Sequence, residues 1–212
     1  MTAASLLALA AAGALMAADW LASWRGWPRV RWISKPGVML ALMALALALR
    51  PASPPERAWF LAALAGGLLG DVFLLLPERW FLPGLVAFLA GHLAYVAGFR
   101  YLPFFWPAAL AGAGVAVGAG LWLLPRLRRA LLAGGQRPLV LPVYVYAVAI
   151  SAMLVSAFGS GKALAAAGGL LFFASDVLLA WYRFVRPLRW GQPVNIVLYQ
   201  VGQLGLVASL AS

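Results

Sequence analysis

The chain has 212 residues, 65% of them hydrophobic and 10% charged, with no cysteine and a formal net charge of +11. Soluble domains carry about 25% charged and about 45–50% apolar residues, so a fold of this length has too little interior for its apolar surface, and much of that surface must face lipid. The missing cysteine excludes disulfides, thiolate metal sites and cysteine nucleophiles. The positive charge does not point to nucleic acid, because the basic residues sit in short gaps between apolar runs, where they set a membrane orientation.

A spanning helix needs about 20 mainly apolar residues. That rule predicts eight spans, at 3–21, 33–49, 58–76, 81–99, 104–124, 138–158, 162–182 and 190–210. The expected fold class is all-α, a polytopic membrane helix bundle forming a single domain over 1–212. The first apolar run has no basic stretch ahead of it, so a spanning helix is expected there rather than a signal peptide. The separators are short and rich in Pro, Gly and Arg, PASPPER and RRALLAGGQRP being the clearest.

The loops carry the orientation. Arg25, Arg29, Arg31 and Lys35 follow the first span, Arg79 the third, Arg126, Arg128, Arg129 and Arg137 the fifth, and Arg183, Arg186 and Arg189 the seventh. The other side has only Arg50, Arg57, Arg100 and Lys162. Basic loops stay in the cytoplasm, so both termini of a cell-membrane protein are expected on the non-cytoplasmic side. Trp24, Trp27, Trp32, Trp59, Trp80, Trp106, Trp181 and Trp190 fall near span ends, as an interfacial belt requires. The third and seventh spans share a pattern, GGLLGDVFLLL and GGLLFFASDVLL. Parallel repeats would produce it, and so would chance in Leu-rich sequence.

Five acids occur in the chain. Glu56 and Glu78 stand beside Arg57 and Arg79 and read as solvated loop residues, and Asp19 reads as reaching the interface. Asp71 and Asp176 lie inside apolar spans, one to two turns from the cytoplasmic end. An Asp at a helix centre costs about 2.5–3.5 kcal/mol on insertion scales, so intramembrane acids are functional candidates by default. A polar clamp between helices is the competing reading. His92, the single histidine, sits mid-span with Tyr95 at i+3 on the same face. A buried imidazole there can position or relay a proton. Lys35 and Pro36 begin the second span, where Lys35 alone reads as a snorkelling anchor. Tyr144, Tyr146 and Ser151 lie in the sixth. Asn195, Tyr199 and Gln203 stand at i, i+4 and i+8 of the eighth, with Gln200 adjacent. This stripe must face protein or water, and the groups together predict a polar pocket toward the cytoplasmic leaflet. One His and two Asp make a poor zinc site, which takes three or four ligands. No metal and no cofactor are expected, and no phosphate-binding Gly-rich loop or serine-hydrolase elbow is present.

The segments LLGDVFLLLP, FLAGHLAYVAGF and FFASDVLLAWYRF, in that order, resemble the YhhN-like family, whose characterised members are lysoplasmalogenases. Lys35–Pro36, YAVAISAM from Tyr146 to Met153, and Tyr199–Gln200 are also similar to family features, so the resemblance covers spans two to eight. It implies an eight-helix membrane enzyme that hydrolyses the vinyl ether of a lysoplasmalogen, giving a fatty aldehyde and a glycerophospho-alcohol. It further implies paired intramembrane acids corresponding to Asp71 and Asp176, with His92 beside them, and a weaker correspondence at Lys35, Tyr146 and Gln200. Expected partners are a lysophospholipid or ether-lipid substrate and membrane lipids.

The chemistry suits these residues. A vinyl ether hydrolyses by protonation at carbon, giving an oxocarbenium ion that water captures. In general, burial and a neighbouring carboxylate help a carboxylic acid keep its proton near neutral pH, and a second carboxylate can stabilise the cation and orient water, as in glycosidases. Asp71 and Asp176 are expected in these two roles, His92 and Tyr95 would hold water or the leaving oxygen, and Lys35 would bind the phosphate. Substrate contacts are also expected from Tyr146, Asn195, Tyr199 and Gln200. Two other classes stay open. A proton-coupled small-solute transporter would need a path to both faces. A non-catalytic lipid-binding protein would use the acids only to clamp helices.

Overall fold

The computed structural model describes residues 2–51 and 53–211. Eight helices long and apolar enough to cross a membrane occur among them. They are α1 (Ala3–Arg25), α2 (Pro28–Ala48), α3 (Pro54–Leu75), α4 (Phe81–Phe99), α5 (Trp106–Ala133), α6 (Val140–Gly159), α7 (Ala163–Ala180) and α8 (Gly191–Ala208). Each predicted span falls on one of them.

Two ends differ from the expectation by five residues or more. α2 starts five residues before 33, because Pro28 stands in its first turn, where a missing N–H costs nothing and the fixed φ favours the helix. α5 runs nine residues past 124, straight through Pro125. Its Leu123, Leu127 and Leu131 recur every fourth residue and bury against Val143, with Trp181 and Phe184 alongside. That packing continues the helix where hydropathy alone ends it. The Arg129 side chain also returns a hydrogen bond to the Pro125 carbonyl.

Consecutive helices pack as antiparallel hairpins, α1 with α2, α3 with α4, α5 with α6, and α7 with α8. Further contacts run from α2 to α3, α4 to α6, α6 to α7 and α8 back to α1. α5 stands outside this ring, packed mainly on α6 and on the π-helical turn Trp181–Val185 that ends α7. Met39, Leu42, Phe60, Leu64, Tyr95, Met153, Phe172 and Leu206 fill the centre. Leu7, Ile33, Leu121, Leu141 and Val148 are exposed, as a lipid-facing surface requires. Trp24, Trp27, Trp32, Trp59, Trp106 and Trp190 are exposed near helix ends.

Glycines set the two tightest hairpins. A Cβ on Gly66 of α3 would come within 2.9 Å of the Gly91 backbone nitrogen of α4. A Cβ on Gly168 of α7 would meet the Leu206 backbone nitrogen of α8 at 2.6 Å. Only glycine permits such backbone contact, which is how small residues drive helix association in lipid. Gly66 and Gly168 are the first glycines of the two GGLL segments, so the repeated pattern performs the same packing task in both halves.

Candidate active site

Asp71 and Asp176 are drawn into two separate networks. Asp71 of α3 is 1% exposed. Its Oδ1 lies 3.1 Å from the Lys35 ammonium of α2, and its Oδ2 accepts the Tyr199 hydroxyl of α8 at 3.0 Å. Lys35 lies two turns inside α2 and is itself buried, so it meets Asp71 instead of snorkelling to the interface. Gln203, one turn beyond Tyr199, accepts the Tyr95 hydroxyl at 2.5 Å.

Asp176 of α7 stands in the second network. Its Oδ2 accepts the Tyr146 hydroxyl of α6 at 2.6 Å, and His92 Nε2 of α4 lies 2.9 Å from the same hydroxyl and 3.4 Å from the carboxylate. Tyr146 has one proton, and the Asp176 bond uses it. His92 Nε2 must then be the protonated nitrogen, donating to the phenol oxygen. The other ring nitrogen, Nδ1, is buried without a partner. Among the described residues no hydrogen bond or ion pair joins Asp71 to Asp176. Phe172 lies between the networks, with ring centroids 4.8 Å from His92 and 5.1 Å from Tyr199. His92 and Tyr95 share a helix, yet the first serves the Asp176 network and the second the Asp71 network.

The two acids differ in access. The Asp176 side chain is 12% exposed and forms part of the wall of a cavity of about 510 Å³ bounded by α4, α5, α6 and α7. Tyr144, Tyr146 and Ser151 are the other polar residues of that wall, and the rest is aliphatic or aromatic. The sequence predicts a polar pocket near the cytoplasmic leaflet; the cavity is instead an apolar slot with a polar patch. Asp71, Lys35, Tyr95, Asn195, Tyr199 and Gln200 do not line it. Asn195 donates to the Ser175 carbonyl at 2.6 Å.

Two acids are not where the sequence reading puts them. Asp19, read there as interfacial, is fully buried and accepts hydrogen bonds from Ser34 and from Gln200, each at 2.9 Å, with the Arg31 Nε 3.6 Å away. Glu56, read as solvated, is also fully buried and paired at 3.3 Å with Lys162, which in turn donates to the Ser209 carbonyl. The neighbouring Arg57 misleads for Glu56 and the nearness of the span end for Asp19, because the partners come from elsewhere in the chain. Asp19 had one usable signal: it falls inside the first apolar span. Glu78 is exposed, as expected, and pairs with Arg183 at 3.1 Å. Among the described residues no group of three His, Asp or Glu could hold a metal ion.

Residues 30–210 match the model of the YhhN family. The chain belongs to the YhhN family. This YhhN chain is 35% identical to human "Lysoplasmalogenase TMEM86B" over 147 residues, covering 69% of the chain and 61% of that relative. It is 30% identical to the mouse protein of the same name over 187 residues, covering 84% and 75%. It is 32% identical over 185 residues to "Lysoplasmalogenase" of Mycobacterium tuberculosis, covering 76% and 67%. The chain therefore spans less than two thirds of the human relative. No solved structure matches.

Proposed function

We propose that this protein is a membrane-embedded hydrolase that cleaves the vinyl ether of a lysoplasmalogen, and that Asp176 is the acid that meets the substrate. The observation that carries the reading is that Asp176 and Tyr146 stand together on the wall of an apolar cavity, with His92, off that wall, bonded to the Tyr146 hydroxyl. The names of the relatives support the substrate class.

A lysoplasmalogen has one long chain, joined to glycerol through –CH=CH–O–. Neutral Asp176 gives its proton to the alkenyl carbon remote from oxygen, leaving an oxocarbenium ion beside the new carboxylate. That carboxylate then accepts a proton from the water that adds to the cationic carbon. The resulting hemiacetal breaks its C–O bond to the glycerol oxygen and yields a fatty aldehyde and a glycerophospho-alcohol. One water is consumed and Asp176 is protonated again. Tyr146 holds the carboxyl in position by hydrogen bonding Oδ2, which leaves Oδ1 for proton transfer. His92 fixes the Tyr146 hydroxyl. An apolar wall keeps bulk water from the cation.

In this reading Asp71 is a positioning residue. Its charge is matched by Lys35, and it orients Tyr199, whose ring packs on Phe172 next to His92. Lys35 is thus occupied by Asp71 and is not the phosphate ligand. We also propose a cell-membrane location with both termini outside the cytoplasm, on the twelve-to-four division of basic residues; cysteine labelling at Thr2 and at Arg189 in sealed vesicles tests it.

The deciding experiment is aldehyde release from a lysoplasmalogen by the purified protein, beside a folded Asp176→Asn variant. Release by the wild type and its loss in the variant are expected. Equal release by both would remove Asp176 from the chemistry, and no release by a folded wild type would overturn the hydrolase reading.

A further inference from the structure

The shape of the cavity carries more than the position of its acid. On α5 its wall runs from Ala116 to Leu127, about 16 Å at 1.5 Å per residue. Its volume of about 510 Å³ is of the size of one lipid hydrocarbon chain. Its outer rim consists of residues that face lipid: Val117, Leu121 and Val148 are 60%, 75% and 70% exposed. The slot therefore opens sideways, between α5 and α6, into the apolar part of the bilayer. Its inner wall includes the partly exposed Asp176 and the Tyr146 hydroxyl that bonds it.

Gly120 sits in the middle of the α5 wall. A Cβ there would meet only the Leu124 Cδ1, at 3.8 Å, so the space in front of Gly120 is empty cavity and not a packed helix contact. Helix packing thus gives no reason for glycine, and an open slot does. Gly118, two residues earlier, also has nothing within 4 Å of its Cβ position, but it is exposed and outside the cavity.

We infer that the slot takes the single hydrocarbon chain of an ether lysolipid, admitted laterally from the bilayer between α5 and α6, and that Gly120 is the residue that keeps room for it. The assignment rests on the hydrolase reading for the identity of the chain. It requires no water-filled path through which the chain would have to leave the membrane. The reactive ether then reaches Asp176 with the chain still in an apolar surrounding, and the head group remains near the basic loops.

The test uses the full chain in phosphatidylcholine nanodiscs and a radiolabelled 1-O-hexadecyl lysophospholipid, whose saturated ether cannot be hydrolysed by this chemistry. Gly120→Ala, Gly120→Leu and Gly118→Leu are compared with the wild type. Gly118→Leu makes the same change of residue type on the lipid side of the same helix. Gly120→Leu is expected to raise Kd by at least about tenfold, the loss when two methylenes no longer find a place. Gly120→Ala should fall between it and the wild type, and Gly118→Leu should match the wild type. Equal affinity in all four proteins, or equal weakening by both leucines, overturns the slot, as does a wild type that binds no such lipid. If the expected pattern holds but the wild type releases no aldehyde from a vinyl ether lysolipid, the slot stands and the reaction assigned to it falls.

Discussion

Tyr146 donates its hydroxyl proton to Asp176 at 2.6 Å, and Tyr199 does the same for Asp71 at 3.0 Å. Asp176 and Asp71 thus each have their own phenol and their own nitrogen partner, His92 for the first and Lys35 for the second. The resemblance of the two arrangements conceals a difference. Asp176 borders a cavity, while Asp71 is enclosed and matched by a fixed ammonium.

That difference separates two substitutions that sequence alone treats as equal. Asp71→Asn leaves the Lys35 ammonium buried without its carboxylate, a loss of about 3–5 kcal/mol for a broken buried pair. Its Tm should fall well below that of Asp176→Asn. Adding Lys35→Met to Asp71→Asn should recover most of the loss. Thermal unfolding in one detergent checks both; an Asp71→Asn protein as stable as the wild type would contradict the pairing.

Removing the phenol from the second network should affect rate more than fold. In Tyr146→Phe the Asp176 Oδ2 loses its donor and His92 its acceptor. Loss of one such aligned donor costs about 10²–10³ in kcat where it supports charge development. Aldehyde release should fall by that order with KM little changed, since the apolar wall is intact. A rate within threefold of the wild type would remove Tyr146 from the machinery.

The opposite end of the bundle offers a control for stability without chemistry. Lys162 ties Glu56 of α3 to the Ser209 carbonyl at the end of α8. Lys162→Met strands the fully buried Glu56 and should cost about 3 kcal/mol. Turnover by the remaining folded protein should be unchanged, because neither residue lines the cavity. Comparison of Tm with kcat measured at low temperature checks this.

The glycine contacts predict a graded cost. Gly168→Ala forces α7 and α8 apart, since its Cβ would meet backbone atoms at 2.6 and 2.7 Å. Overpacking of this kind costs about 1–3 kcal/mol. Gly118→Ala meets nothing and exchanges a poor helix former for the best one, so it should leave Tm equal or slightly higher. A Gly168→Ala protein with wild-type Tm would mean that the α7–α8 contact is looser than the structure has it.

All eight spans were legible in the sequence because lipid imposes one rule on every helix, about twenty apolar residues with no unsatisfied backbone. The candidates Asp71, Asp176 and His92 were legible for the same reason: polar groups inside such runs stand out. Hydropathy could not say which polar groups meet. It put Glu56 beside a loop arginine and Asp19 at the interface, whereas Lys162 reaches the first, and Gln200 and Ser34 the second, from sites distant along the chain. Nor could it separate Asp71 from Asp176, because a span shows depth but not facing. Only the tertiary structure brings Lys35 of α2 and Tyr199 of α8 onto the first acid, and only α5, standing off the ring of helices, leaves an open slot beside the second.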